Sequence, residues 1–239
     1  MILLLTDFGL ADPFVAVMKG VIRSLNPGVE ILDLTHQIPP FQIRQAACVL
    51  EDACPHFPHK SLFLSVVDPG VGSSRKAILL IWNNQYFVGP DNGIFSQILK
   101  QKEVLAFDIP IPESASPTFH GRDVFAPIAA RIKQDPRIIF SLEPIDPKKL
   151  IRLPEKKGFE ILYSDHFGNL ITNQKSKNLA KKNWEVSYLG KKLRQVKTFS
   201  ELQPQETGVY FGSSGRLEIA TREGSAKTLE PLNFRFILC

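Results

Sequence analysis

The side chains of this chain best suited to chemistry sit where apolar runs break off. Ser65-Val66-Val67 stops on Asp68-Pro69-Gly70-Val71-Gly72-Ser73-Ser74-Arg75, a carboxylate followed by a glycine-rich turn that closes on an arginine. Ile2 to Thr6 stops in the same way on Asp7-Phe8-Gly9, with Asp12 close behind. A proline-broken passage delivers Phe119-His120-Gly121-Arg122-Asp123 just ahead of another apolar run. Later come Tyr163-Ser164-Asp165-His166-Phe167-Gly168-Asn169 and Phe211-Gly212-Ser213-Ser214-Gly215-Arg216-Leu217-Glu218-Ile219-Ala220. Loop-borne carboxylates, a histidine and an arginine are the parts from which a site for a polar or ionic reaction is made. Each has a plainer reading on its own. Asp68 can cap its own turn with Arg75 solvated, His120 can cap the turn before a helix, and His36 can satisfy a loop carbonyl. Taken alone, the Asp68 stretch slightly favours the plainer reading.

The elements that must hold these loops follow from periodicity. Ile2–Thr6 and Ser61–Val67 have the length and apolar content of strands buried on both faces, and Asp-Pro-Gly can neither extend a strand nor begin a helix at once. Asp12-Pro13 reads as a helix start, the aspartate capping backbone N–H groups. Phe14, Val17, Met18, Val21 and Leu25 then recur at helical spacing until Asn26-Pro27-Gly28. Val29–Leu34 reads as a strand, and Gln42 to Cys54 as a second amphipathic helix. The order β-α-β-α-β implies right-handed crossovers and a parallel sheet, with ligands expected at the carboxyl ends of its strands. Ala77–Trp82 and Gln85–Val88 read as a hairpin about Asn83-Asn84. Ile94 to Lys100 reads as a short helix, Val104 to Asp108 as a strand, and the run after His120 as a helix to about Lys133. The proline- and lysine-rich stretch from Asp135 to Gly158 reads as a linker. Beyond it, Phe159–Tyr163, Leu170–Asn173, Trp184–Tyr188, Val209–Phe211, Leu217–Ala220 and Phe234–Leu238 are short strand-like runs. The expected architecture is an α/β N-terminal domain over residues 1–150, a largely parallel sheet with flanking helices, and a smaller all-β barrel or sandwich over 158–239.

With 239 residues and 44% hydrophobic content, the chain can bury a sizeable core. Met1-Ile2-Leu3-Leu4-Leu5 meets Thr6-Asp7 at once, without the basic segment of a signal peptide or the length of a membrane span, so a cytoplasmic protein is expected. Cys48, Cys54 and Cys239 form no C-x-x-C pair, which argues against a disulfide framework or a zinc site, and Cys48 and Cys54 read as core thiols. The net charge of +5 arises in the C-terminal part: residues 1–150 hold 14 basic against 15 acidic side chains, and residues 151–239 hold 15 against 9. Lys175, Lys177, Lys181, Lys182, Lys191 and Lys192 are dispersed without interleaved aromatics, the pattern of a solvated face more than of a nucleic-acid surface.

Thr6-Asp7-Phe8-Gly9, Val66-Val67-Asp68-Pro69-Gly70-Val71-Gly72, Phe119-His120-Gly121-Arg122-Asp123, Asp165-His166-Phe167-Gly168-Asn169 and Leu217-Glu218-Ile219-Ala220, in this order, resemble the S-adenosyl-L-methionine hydroxide adenosyltransferases, relatives of fluorinating and chlorinating enzymes. The resemblance runs from Met1 to about Ala226. It implies cleavage of S-adenosylmethionine by water at the ribose 5′ carbon, giving adenosine and methionine, with no cofactor and no metal. It implies that Asp68, Arg75 and His120 position the water or hydroxide. It also implies that Asp7 accepts the ribose hydroxyls, and that Asp12 and Asp165 lie near the methionine ammonium. Phe41 and Phe119 would then be aromatic walls, Phe167 and Asn169 would stack on and read the adenine, and Ser213, Ser214 and Glu218 would line the amino-acid or adenine end. In the halogenating branch an aromatic residue matches Asp68, tyrosine and serine match His120-Gly121, a serine matches Phe14 and an arginine matches Ser214. This chain therefore resembles the water-using branch. A homotrimer with sites between subunits is implied by the same likeness, and neither a nucleic acid nor a membrane is expected as partner.

Two other functions compete with hydrolysis. A sensor would bind adenosine or intact S-adenosylmethionine without releasing methionine, and a halogenating relative would consume chloride or fluoride. Without the resemblance, Phe41 and Phe167 read as core and Asn169 as a turn cap.

Overall fold

The computed structural model describes residues 1–155, 158–179 and 183–238. The chain divides into two compact units, Met1–Leu153 and Pro154–Cys239. In chain order the first holds β1 (Ile2–Thr6), α1 (Phe14–Leu25), β2 (Ile31–Thr35), α2 (Ile43–Ala53), β3 (Leu62–Val66), β4 (Ala77–Trp82), β5 (Gln85–Pro90), β6 (Leu105–Ile109), α3 (Ala126–Gln134) and β7 (Glu143–Ile145). The strands form one sheet in the order β2-β1-β3-β5-β4-β6-β7. Pairing is parallel from β2 through β1 and β3 to β5, then antiparallel through β4, β6 and β7.

Alternation along the central strands decides which helices cover which face. Ile2 and Leu4 of β1, with Leu62, Leu64 and Val66 of β3, pack with Met18 and Ile22 of α1 and with most of α3. Leu3 and Leu5, with Phe63 and Val67, turn to the other face and pack with Ala46 and Leu50 of α2. Both faces are therefore dry, which is why β1 and β3 read as unbroken apolar runs. The chain leaves β1 through α1 to reach β2 on one side, then returns through α2 to β3 on the other. That reversal of strand order at β1 opens a crevice at the carboxyl ends of β1 and β3.

Several local expectations are revised. Pro13 itself takes the N-cap place of α1 and no side chain caps the helix, so Asp12 stands one residue outside it, exposed. The Ile94–Lys100 stretch forms turns with a single 3-10 turn at Ile98–Lys100. Within the stretch read as a linker, a 3-10 segment spans Pro136–Ser141 and β7 pairs with β6 at the sheet edge. Asp91 Oδ1 accepts the Ile151 N–H at 2.9 Å and Ser96 Oγ accepts the Leu153 N–H at 2.8 Å, which ties that stretch to the first unit. The Asn83-Asn84 turn has φ of 49° and 55°, the paired left-handed conformation that a two-residue hairpin loop requires.

The second unit contains β8 (Ile161–Ser164), β9 (Leu170–Lys175), a helical turn α4 (Ser176–Leu179), β10 (Trp184–Tyr188), β11 (Lys191–Lys192), β12 (Arg194–Gln195), β13 (Thr207–Phe211), β14 (Arg216–Thr221) and β15 (Phe234–Leu238). A five-stranded sheet, β12-β13-β14-β9-β8, and a three-stranded sheet, β11-β10-β15, share one core. Leu170, Val209, Leu217 and Ile219 of the larger sheet meet Val186 and Phe234 of the smaller, the arrangement of a sandwich. Cys48 and Cys54 are buried as expected, whereas Cys239, Lys181 and Lys182 lie outside the described residues.

Candidate active site

Asp68 follows β3 directly, at the carboxyl-end crevice, and the turn behind it brings Arg75 back onto its carboxylate. Arg75 Nε donates to Asp68 Oδ1 at 3.0 Å, and Arg75 Nη2 donates to Asp68 Oδ2, a two-point pairing of guanidinium and carboxylate. Arg75 Nη2 also lies 2.8 Å from His120 Nδ1. Only 7% of the Arg75 side chain and 4% of the Asp68 side chain are exposed, and His120 is 4% exposed. The guanidinium lies over the Phe125 ring, 5.3 Å from its centroid, so a weakly hydrated cation is held against an apolar floor. Arginine has no acceptor, so Nδ1 must offer its lone pair, which assigns the imidazole proton to Nε2. Burial pushes the His120 pKa below its usual value and the Arg75 charge adds to this, while Asp68 and Asp123 act the other way. The neutral form, with an Nε2–H to donate, is thereby favoured.

Three loops converge to make this arrangement. Gly72, at φ +77°, runs so close to the Pro117 carbonyl that a methyl group there would overlap it, which presses the Asp68–Arg75 loop against the passage leading to His120. Asp123 Oδ2 accepts the Ser116 N–H at 2.9 Å, and Arg122 grips the same carboxylate at 2.6 and 2.8 Å. His120 itself stands at the head of a π-helical turn, Gly121–Phe125, in which the Ala126 N–H reaches back to the Gly121 carbonyl. Such turns reorient side chains by inserting a residue into the helical path. Just past β5, Asn92 Nδ2 donates to the Val67 carbonyl at 2.8 Å and fixes the end of β3. From the sequence, Asp123 entered only as the last residue of the Phe119–Asp123 motif, without a role, and Asn92 was not singled out. Their carboxylate and amide do backbone work across 7 and 25 residues, and such contacts leave no local spacing to read.

Asp7, at the end of β1, lies on the same crevice. Burial raises its pKa, the N–H groups of Phe41 and of Asp7 itself pull it back, and the nearby Asp68 charge raises it further. Asp7 Oδ2 accepts the Phe41 N–H at 2.8 Å, and Phe41 holds φ of +68° and is 66% exposed. A bulky residue in the left-handed region is strained, and such strain clusters at binding sites. Phe8, Phe14 and Phe119 pack edge to face, with centroids 5.4 to 6.1 Å apart, between the Asp7 and His120 loops. Arg122 lies 5.3 Å over the Phe119 ring. Asp12 joins none of these contacts.

In the second unit, Asp165 and Asn169 close one compact loop. Asp165 Oδ1 accepts the Asn169 N–H at 2.8 Å and Oδ2 accepts from Asn169 Nδ2 at 3.0 Å, so it is the Asp165 carboxylate that caps the turn and the Asn169 side chain closes onto it. Phe167, at the tip, is 77% exposed, so like Phe41 it is no core residue. Ser213 and Ser214 are exposed in the turn between β13 and β14. Glu218 of β14 sits opposite Tyr210 of β13, with its carboxylate against the Gly212 backbone. Burial raises the Tyr210 pKa, and the charge and hydrogen bond of Glu218, with the charge of Asp165, add to the effect. Tyr210 thus keeps its proton between two carboxylates, a member of this cluster that its place inside a strand run hid from sequence reading. Among the described residues, no group of three or more His, Cys, Asp or Glu side chains is arranged to hold a metal ion.

Comparison with known proteins bears on both units. Residues 2–138 match the family model of the SAM hydroxide adenosyltransferase N-terminal domain, and residues 159–234 match that of its C-terminal domain. Proteins named (R)-S-adenosyl-L-methionine hydrolase are 38% identical in Thermus thermophilus, over 93% of this chain and 92% of that one, and 36% identical in Salinispora tropica, over 94% and 91%. A fluorinase of Nocardia brasiliensis is 26% identical over 71% of this chain and 69% of its own. The crystal structure of an uncharacterized conserved protein from Thermotoga maritima, 34% identical, superposes with a TM-score of 0.88 and full coverage of both chains. With both units matched and close to the whole length of such relatives aligned, the chain belongs to the SAM hydroxide adenosyltransferase family.

Proposed function

We propose that this protein hydrolyses S-adenosyl-L-methionine, in the (R) configuration at sulfur that its relatives' names carry, to adenosine and L-methionine. The observation that carries this reading is the closed contact of Asp68, Arg75 and His120 at the end of β3. In the halogenating branch, as the resemblance has it, an aromatic residue and a tyrosine stand where this chain has Asp68 and His120, so the nucleophile's seat here suits water rather than halide.

The chemistry follows from the donors and acceptors. Both Asp68 oxygens accept from Arg75 and each keeps a further lone pair, which can accept a proton of the attacking water. The His120 Nε2–H donates to the same oxygen and Arg75 supplies positive charge beside it. Water attacks the ribose 5′ carbon, the new carbon–oxygen bond forms as the carbon–sulfur bond breaks, and the electron pair leaves on sulfur as neutral methionine thioether. The proton of water departs through Asp68 to solvent. Charge is annihilated in this step, so a dry pocket with fixed dipoles favours it over bulk water. Asp7 receives the vicinal ribose hydroxyls on its two oxygens, Phe41 and Phe119 flank the ribose and sulfonium, and Phe167 with Asn169 meets the adenine. Asp12 and Asp165 serve the methionine ammonium, and Ser213, Ser214 and Glu218 the amino-acid or adenine end, with the Tyr210 hydroxyl beside Glu218. Residues in both units support a homotrimer in which each site draws on two subunits, and a substrate made inside cells fits a cytoplasmic enzyme. No helix among the described residues is long and apolar enough to cross a membrane.

The test is to incubate the protein with each sulfur epimer in water enriched in oxygen-18. Adenosine labelled at the 5′ hydroxyl, with equimolar methionine, is expected. Tight binding without methionine release in a single turnover would favour a sensor. A 5′-halo product in chloride or fluoride would move the chain to the halogenating branch.

A further inference from the structure

Among the buried titratable side chains that the mechanism does not use is His36. His36, 4% exposed, lies just past β2, and its ring joins two other side chains: Nδ1 is 2.8 Å from Thr6 Oγ1 and Nε2 is 2.9 Å from Asp33 Oδ1. Asp33 in turn accepts from Lys19 Nζ at 2.7 Å. Sequence reading gave His36 a loop carbonyl as partner; the ring has Thr6 and Asp33 instead. A break in register makes this possible. Leu4 pairs with Asp33 but Leu5 pairs with Thr35, so β2 carries one extra residue against β1. In a regular strand, residues three apart point to opposite faces. The extra residue brings Asp33 and His36 to one face and sets His36 beside Thr6.

The contacts bracket Asp7. On one side Thr6 is held by the His36 ring, and on the other the Gly9 N–H donates to the His36 carbonyl at 2.9 Å. Thr6 Oγ1 also accepts the Phe8 N–H at 3.3 Å, so one hydroxyl joins the His36 ring to the turn that carries Asp7. From His36 the chain runs through Pro39-Pro40, whose φ angles are fixed by their rings, to Phe41, whose N–H ends on the Asp7 carboxylate. One segment therefore fixes the turn that carries Asp7 and also delivers the donor that orients its side chain. We propose that His36 is a positioning residue for substrate binding. Through Thr6, Gly9 and Phe41 it holds the Asp7 carboxylate where it meets a vicinal diol, an inference that rests on the reading of Asp7 given above.

The test compares His36→Ala, His36→Asn and Thr6→Val with the unmodified protein. The readouts are KM and kcat for S-adenosylmethionine, adenosine affinity by calorimetry, thermal midpoint, and amide hydrogen exchange of the peptide containing Phe41. His36→Ala should raise KM and weaken adenosine binding about ten-fold or more, speed exchange at Phe41, and leave kcat within about three-fold. His36→Asn retains a polar atom near the Nδ1 place and should recover most of the binding, and Thr6→Val should resemble His36→Ala. Unchanged KM and unchanged exchange in His36→Ala would overturn the proposal. So would equal losses in kcat and KM with a lower thermal midpoint that His36→Asn does not relieve, the pattern of a residue that only supports the fold. If the unmodified protein binds no adenosine and turns nothing over, the functional reading fails instead, and exchange at Phe41 still decides whether His36 holds that segment.

Discussion

Asp68 and Arg75 are buried partners, and that fixes how their roles can be tested. Removing one member of a buried ion pair costs about 3–5 kcal/mol of stability, so Asp68→Ala mixes a loss of fold with a loss of rate. Asp68→Asn keeps the shape, and we expect kcat to fall by roughly 100- to 10,000-fold with KM little changed, the loss appropriate to a group acting on the developing charge. His120→Ala should behave alike, with a smaller effect on the thermal midpoint. Asp7→Ala should raise KM and spare kcat, as measured in the same steady-state assay. The acid limb of the pH profile reports on His120. Protonation at Nδ1 would set a donor against the Arg75 donor, so kcat should hold as pH falls through 6.5, the usual midpoint of histidine, and decline only below it. The stability contribution has the same sign. Above pH 6.5 the histidine is neutral whether folded or not; below it the unfolded chain takes up the proton first, and stability falls until the folded form also protonates. The Asp68–Arg75 loop and His120 stood out in the sequence where apolar runs break off, but it was the family resemblance, and not the spacing, that joined the three in one role. Tyr210 and His36 did not stand out, because their partners lie on neighbouring strands and only the register shows them.

The loops are placed by a few backbone positions that tolerate no side chain or no change of direction. Gly72 is the sharpest of them, since it combines a positive φ with close approach to Pro117. Gly72→Ala should cost about 1–3 kcal/mol from the backbone conformation alone. A lower thermal midpoint by scanning calorimetry is expected, with a larger proportional fall in kcat as Arg75 moves off His120. The elements nearest the site were also the most readable. β1 and β3 are dry on both faces and bear unbroken apolar runs, and Asn83-Asn84 announces its own turn. β7 escaped notice because three residues around a proline do not resemble a strand until β6 lies beside them. The π-helical turn at Gly121–Phe125 escaped notice because its wider hydrogen bonding has no signature in composition, and phenylalanine gives no warning of the left-handed backbone at Phe41.

At the scale of the molecule, the proposed sharing of each site between subunits makes a mixing experiment informative. Chains carrying Asp68→Asn and chains carrying Asp165→Ala, each weakly active, should regain activity when unfolded and refolded together. About a quarter of the sites in a random trimer would combine an intact first unit with an intact second unit from the neighbour. No recovery, with normal assembly by sedimentation, would place each site within one chain. The seven-stranded sheet has one further consequence. Its outermost strands are β2 and β7, and both are poor templates for another chain. The additional residue after Asp33 breaks the even spacing of β2, and Pro144, opposite Phe107 at the middle of β7, brings no amide proton. The same irregularity that sets His36 beside Thr6 thus also guards one flank of the sheet against fibrous self-association, and proline guards the other.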